Sequence, residues 1–275
     1  ALLVAEDALR EGKVVAVKGL GGFHLMVNAL DAGALRRLRA RKARGRKPFA
    51  VMFANHGMLR KYATPSPAEL TAVTSSPAPI IIMQRRQALP DDIAPGSPHV
   101  GALLPYTPLH HLLLCDLGFP LVATSGNRSG EPICIDGDNA RERLKHLADV
   151  VLDHDRPIRR PVEDSVQRQY AGSMVVLRRG RGLAPSPVAD CSTDGILGRG
   201  ADLKSALAVS RGGQIVLGPH VGDLSNDVEV LETYAAALRD FPAVLGTRTE
   251  VEAHDLHPDY VSVRALHANT HAVQH

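Results

Sequence analysis

Tryptophan is absent from this chain, and aromatic residues make up only 4% of it. A protein that stacks successive bases on an aromatic platform is therefore a poor fit. Cysteine is almost as scarce: Cys115, Cys134 and Cys191 stand far apart and form no Cys-x-x-Cys pair. That argues against a disulfide framework and fits a reducing cytoplasm. No apolar run approaches the ~20 residues that a membrane-crossing helix needs. The opening segment ALLVAEDALREG contains Glu6, Asp7 and Glu11 and lacks a basic start, so it does not read as a signal peptide. Excess charge is also small, at +3, but it is unevenly placed. Arg36 to Lys47 is strongly basic, whereas the region after Asp190 is richer in carboxylates and histidines.

The rest is ordinary for a folded chain, with 44% apolar and 22% charged residues. A length of 275 residues suits one large or two modest domains. The chain starts without Met and stops abruptly at His275, so it reads as a piece of something longer.

The organising stretch is Lys18 to Ala50, KGLGGFHLMVNALDAGALRRLRARKARGRKPFA. An apolar run ends there in a glycine turn, a helix follows from an Asp31 N-cap, and a knot of cations closes it. Arg41, Lys42, Arg44, Arg46 and Lys47 form that knot, with Gly45 and Pro48 bending the backbone so that cations converge. A strand end, glycines and clustered cations suit a phosphorylated or otherwise anionic ligand. Nucleic-acid phosphate is a competing target for the same patch. The helical arginines Arg36, Arg37, Arg39 and Arg41 read equally well as a solvated face, and their substitution is expected to matter least.

Elsewhere, short strands near residues 14–18, 49–53, 80–83, 100–104, 121–124 and 150–153 interleave with helices, and a strand pair at 165–168 and 174–178 follows. This pattern predicts an α/β domain with a mixed sheet. The expected division is a first domain over 1–185, a Pro/Ser-rich linker over 186–195, and a second α/β domain opening at 196–275. In that second part a hairpin around Arg211-Gly212-Gly213, a long amphipathic helix to Val244 and a strand at Val251 to Ala253 are predicted.

TSGNRSG follows an apolar strand, where open α/β sheets bind ligands. It lacks the spacing of a nucleophile elbow, so Ser125 reads as a ligand contact, with a plain turn as the other reading. Adjacent His110 and His111 point about 100° apart on a helix, so one is expected to face a site and the other solvent. Thirteen histidines raise a metal question, but no paired His-x-x-x-His motif is complete.

Taken together, KGLGGFHL, RKARGRKPFAVMF, IAPG, LPYTPLHHLLL, TSGNRSGEPI, HDRPI, EDSVQR and LRRGRGLAP resemble the YrdC-like domain of the HypF family. GADLKSALAV, HVGDL and DLHPDY resemble the start of that family's actin-like domain. The resemblance implies a YrdC-like twisted mixed sheet with helices, then a partial actin-like (ribonuclease H-like) α/β domain. It implies carbamoyl phosphate and ATP with Mg2+ as substrates for a carbamoyl-adenylate. It also implies transfer of the carbamoyl group to the C-terminal cysteine of a HypE partner, for the cyanide ligands of [NiFe]-hydrogenase. The family's Lys-x-Arg and Ser-x-Asn set falls on Lys42, Arg44, Ser125 and Asn127 as the catalytic group.

Around them the resemblance puts Lys18, Gly22, Phe23, His24, Lys47, His110, Thr124, Ser165, Arg179 and Arg181 at the nucleotide and carbamoyl site. Lys204, His220, Gly222 and Asp223 belong to the second domain, and His275 is a first metal ligand. An iron or zinc ion is implied for the complete actin-like domain only. The family's Asp-Asp-Ser-Val appears here as Glu163-Asp164-Ser165-Val166. Its acylphosphatase and zinc modules do not appear upstream. Two alternatives stay open: threonylcarbamoyl-adenylate synthesis for tRNA modification, and a double-stranded RNA or tRNA-binding module. No membrane partner is expected.

Overall fold

The computed structural model describes residues 1–128, 131–225 and 228–267, in two compact units, Ala1–Gly182 and Leu183–His275. The first unit begins with α1 (Leu2–Arg10), β1 (Val15–Lys18), β2 (Phe23–Asn28), α2 (Ala32–Arg41), β3 (Ala50–Met52), α3 (His56–Tyr62) and α4 (Pro67–Val73). It continues with β4 (Ile80–Gln84), β5 (His99–Leu103), α5 (Pro108–Leu117), β6 (Leu121–Ser125), α6 (Gly137–Arg143), β7 (Val150–Leu152), β8 (Val166–Tyr170) and β9 (Ser173–Arg178). Nine strands form one sheet in the order β7-β1-β2-β6-β3-β5-β4-β8-β9. The sheet is mixed: β1–β7, β3–β5 and β4–β8 run parallel, and the other pairs antiparallel.

Helices cover both faces, which explains why β1 reads VAVK with no polar alternation until its end. Val14, Ala16, Phe23, Leu25 and Val27 pack with Leu35 and Leu38 of α2. Val15, Val17 and Met26 pack on the opposite face with Leu9 of α1 and Leu113 of α5. Local signals set the helix starts. The Asp31 carboxylate accepts from the Ala34 N–H, and Ser66 and Glu69 form a reciprocal capping box ahead of Pro67. α6 starts from an Asp136 N-cap and ends at a Leu144 C-cap.

The second unit contains β10 (Pro187–Asp190), β11 (Ile196–Gly198), β12 (Ser205–Arg211), β13 (Gln214–Gly222), α7 (Val228–Val244), β14 (Val251–Ala253) and α8 (Val261–His267). Its five strands are ordered β10-β13-β12-β11-β14. The expected hairpin is β12–β13, and Tyr234 and Phe241 of α7 pack against Leu207 and Val209 of β12. The stretch expected as a linker instead contributes β10, whose backbone pairs with β13. Pro and Ser there mark an edge strand, where one side needs no hydrogen-bond donors. No helix of the described residues is long and apolar enough to cross a membrane.

Candidate functional site

The carboxyl ends of β1 and β6 and the chain leaving α2 meet in the first unit. Lys42 is the C-cap of α2 and is only 4% exposed. Its ammonium donates to the Ser125 carbonyl at 2.6 Å, the Asn127 carbonyl at 2.8 Å and Asn127 Oδ1 at 3.1 Å. Three acceptors match the three N–H bonds of an ammonium. Ser125 Oγ donates to Asn127 Oδ1 at 2.7 Å, and Asn127 Nδ2 donates to the Glu131 carbonyl at 2.7 Å. The turn is closed by the Gly126 N–H, which donates to the Phe23 carbonyl at 2.6 Å. A Cβ on Gly126 would come within 2.7 Å of that same carbonyl, so only glycine permits the approach.

Burial, with the charges of Arg44 and Lys47, pulls the Lys42 pKa down to about 7. Arg44 is likewise lowered to about 10 by burial and by Arg39 and Arg178. Its guanidinium lies 5.0 Å from the Phe49 ring centroid and donates to the Pro48 carbonyl at 2.7 Å. Cations held this close, at the expense of their own charge, form a site that favours a polyanion. Arg178, ion-paired with Glu163, influences Arg44 and was missed in the sequence reading. Its position on a plain strand pattern offered no signal.

The helical arginines do more than the sequence suggested. Arg39 donates to the carbonyls of Asp92 at 2.6 Å and Gly45 at 2.6 Å, and so ties down the loop that carries Arg44 and Lys47. Arg41 pairs with Asp149 at 2.8 Å, and Arg37 donates to the Gly12 carbonyl. Arg36, with 66% of its side chain exposed, is the one that fits a solvated face.

Behind the turn lies a second, buried cluster. His24 is directly opposite Ser125 across β2 and β6, which places both side chains on one face. Nε2 of His24 is 3.4 Å from Asp164 Oδ2 and 3.4 Å from the Tyr106 hydroxyl. Asp164 Oδ1 accepts from Arg181 Nε at 2.9 Å, and the Arg181 guanidinium stacks 3.4 Å from the Tyr106 ring centroid. His110 stands edge-on to Tyr106 at 4.8 Å. Burial resists ionisation of Asp164, but its hydrogen bond to His24 and the charges of His24 and Arg181 hold it well below the usual carboxylate range. Burial and nearby His24 lower His110 to about 3. His110 is buried and His111 exposed, as the helical spacing predicted.

The glycine turn explains how Asp164 arrives there. Gly21 accepts from the Val162 N–H at 2.9 Å, and a Cβ on it would meet the Val162 carbonyl at 2.2 Å. Gly22 is closed in a similar way by Ile133. The turn is thus a seat for the strand-like segment carrying Glu163 and Asp164.

Several expected ligand contacts are structural. Lys18 donates to the His154 carbonyl at 2.7 Å and pairs with Asp153 at 3.1 Å, fastening β1 to the chain after β7. Phe23 is a fully buried core residue. Ser165, also fully buried, donates to the Arg181 carbonyl at 2.9 Å and accepts from the Gly180 N–H at 2.9 Å. Arg181 is engaged at all three of its nitrogens, by Asp164 and by the Pro77 and Ala78 carbonyls at 3.0 and 2.9 Å. Lys18, Ser165 and Arg181 thus each bond polar groups of the fold. Thr124 is buried on β6, Lys47 is exposed at the loop tip, and Arg179 follows β9 with its pKa lowered by burial.

In the second unit, Lys204, His220, Gly222 and Asp223 gather at one end of the β12–β13 hairpin. Asp223 accepts from the Lys204 N–H at 2.7 Å, and Ser205 pairs with Gly222. Among the described residues no three His, Cys, Asp or Glu side chains gather to hold a metal, and His275 lies outside those residues.

Comparison with known proteins accounts for both units. The family described as Telomere recombination (Sua5_yciO_yrdC) matches residues 7–180, and the HypF Kae1-like domain matches residues 192–275. The chain is 42% identical over 266 residues to the carbamoyltransferase HypF of Synechocystis sp., covering 95% of this chain and 35% of that protein. It is 44% identical over 268 residues to that of Rhodobacter capsulatus, covering 96% and 36%. It therefore spans about a third of the length of these curated relatives. A solved full-length HypF in a phosphate- and nucleotide-bound form superposes with a TM-score of 0.90 at 39% identity, covering 96% of this chain and 42% of that one. With a YrdC-like unit and a Kae1-like unit both matched in sequence and in fold, the chain belongs to the HypF family of carbamoyltransferases.

Proposed function

We propose that the first unit joins ATP and carbamate into carbamoyl-adenylate, the carbamate being formed from carbamoyl phosphate by hydrolysis that releases inorganic phosphate. A carbamate oxygen attacks the α-phosphorus, and pyrophosphate leaves. The single observation carrying this reading is the convergence of Lys42 on Ser125 and Asn127, beside Arg44, with the buried imidazoles of His24 and His110 behind the Ser125 turn. Lys42 and Arg44 neutralise charge that builds on the phosphate oxygens and on departing pyrophosphate. The Ser125–Asn127 turn orients the nucleotide so that its α-phosphorus faces the pocket. No side chain there needs to form a covalent bond. Mg2+ would accompany the ATP phosphates. The second unit, in the complete protein, would pass the carbamoyl group to the C-terminal cysteine of HypE, using a site that includes Lys204 and Asp223.

The test is ATP–pyrophosphate exchange with carbamoyl phosphate or ammonium carbamate as the second substrate. Exchange that depends on either one is expected. Exchange driven instead by threonine with bicarbonate would assign the chain to threonylcarbamoyl-adenylate synthesis, and RNA binding that needs no ATP and weakens steeply with salt would favour the RNA module.

ATP binding should also take up protons. The free Lys42 has a pKa of about 7, and a bound polyanion stabilises its charged form, raising that value. Above pH 7 the complex therefore holds more protons than the free protein; well below pH 7 both are fully protonated. Calorimetry in buffers of different ionisation enthalpy should show uptake approaching one proton near pH 8 and almost none near pH 5.5. Equal heats in all buffers at pH 8 would refute it.

A further inference from the structure

Two buried imidazoles with unpartnered nitrogens stand side by side behind the Ser125 turn. His24 is 7% exposed and His110 1%, with ring centroids 5.8 Å apart. Nδ1 of His24 and both ring nitrogens of His110 have no hydrogen-bond partner. Leaving one buried polar atom unpaired costs about 1–3 kcal/mol. Three such atoms in one cluster point to a ligand that satisfies them.

The surrounding groups restrict what that ligand is. Asp164 is ionised and can only accept, so Nε2 of His24, facing it, must be the nitrogen that carries hydrogen. Arg181 Nε donates to the other carboxylate oxygen, and its Nη1 and Nη2 donate to the Pro77 and Ala78 carbonyls, which braces the pair. At a pH where the His24 ring is neutral, its unpartnered Nδ1 is then an acceptor. It faces the glycine turn, where a Cβ on Gly19 would touch Cε1 and Nδ1 at 3.7 Å. His110 is kept neutral by burial and offers one donor and one acceptor. Two acceptors and one donor complement the two N–H bonds and one carbonyl of a primary amide. An amino acid would bring an ammonium and a carboxylate against this buried cluster, where Asp164 and Arg181 already pair with each other.

The geometry points to Asp164 as a positioning residue that, clamped by Arg181, holds His24 in the Nε2–H form, so that His24 and His110 together receive the carbamoyl amide. The ligand half of this inference rests on the carbamoyl reading above; the tautomer half does not.

The test is long-range 15N–1H correlation of the histidine rings, with His24 assigned by its loss in His24→Gln. His24 should be protonated at Nε2, and added carbamoyl phosphate or carbamate should shift its Nδ1 resonance. In Asp164→Asn, Arg181 claims the amide oxygen and the amide NH2 turns to His24, so the ring should switch to Nδ1–H. The same variant should raise KM for carbamoyl phosphate or carbamate at least ~10-fold, the loss of about one well-placed hydrogen bond, while ATP binds unchanged. Asp164→Glu should recover part of that loss. His24 protonated at Nδ1 in the unaltered protein, or no change of tautomer or KM in a folded Asp164→Asn, would overturn the proposal. If Asp164→Asn does not fold, a ligand-insensitive Nδ1 resonance in the unaltered protein overturns it alone. An unaltered protein with the expected tautomer but no carbamoyl-dependent exchange would instead overturn the adenylation reading, and with it the choice of ligand.

Discussion

Lys42→Ala is expected to lower carbamoyl-dependent ATP–pyrophosphate exchange by at least ~100-fold, the scale seen when one preorganised stabilising donor is lost. Two losses coincide. One is a positive charge beside the phosphates. The other is the brace on the Ser125 and Asn127 carbonyls, three hydrogen bonds converging on one nitrogen. Without it the turn that orients the nucleotide is free to open, so the dissociation constant for ATP should rise alongside the fall in rate. Lys42→Arg should not rescue, because a planar fork cannot present three donors to acceptors that converge on a point. Exchange within about threefold of the unaltered protein would show that the turn holds without Lys42 and would refute the assignment; threefold is under 1 kcal/mol.

Arg181→Ala is expected to act on stability. Asp164 and Arg181 have side chains only 10% and 13% exposed, and their ion pair is closed at 2.9 Å. Removing one member of a buried pair strands the other charge and costs about 3–5 kcal/mol. For a unit of this size that lowers Tm by roughly 10 °C. Two backbone carbonyls, of Pro77 and Ala78, lose their donor in the same step. The sequence reading put Arg181 among the nucleotide contacts. Under that reading the variant would keep its Tm and lose ATP affinity, so a melting curve and an ATP titration on one sample separate the two. A Tm unchanged within about 2 °C would restore Arg181 to the nucleotide site; such a shift is below 1 kcal/mol here.

The mixed α/β sheet and the β12–β13 hairpin were legible in the sequence because each depends on local patterning. Runs such as VAVK and IIIMQ, the Asp31 and Ser66 caps, and the Arg211-Gly212-Gly213 turn each act within a few residues. The juxtaposition of Lys42 with Ser125 and Asn127 was reached through family resemblance. Nothing in residue spacing connects positions more than eighty apart.

The roles of the arginines were not legible. In the sequence Arg39 and Arg41 read as solvated or ligand-facing cations and Arg181 as a nucleotide contact, because an arginine reveals a bracing role only by the carbonyls it meets. Those carbonyls belong to distant loops: Asp92 and Ile93 for Arg39, Leu147 for Arg41, Pro77 and Ala78 for Arg181. For the same reason the sequence offered Lys18 and Ser165 only as ligand contacts and gave no sign that they also fasten the fold. β10 escaped notice because an edge strand needs little hydrophobic pattern.

The sequence by itself determined an α/β chain of two parts, with a basic turn after α2 and a polar turn after β6 suited to phosphate. Those features follow from the covalent chain: the period of its apolar residues, its turn formers and its local charge. Only the tertiary structure decided which polar groups were left for a ligand. Hydrogen-bond satisfaction is settled among groups far apart in sequence. After Lys18, Ser165 and Arg181 had met their partners, the unpartnered nitrogens of His24 and His110 remained behind the Lys42 turn.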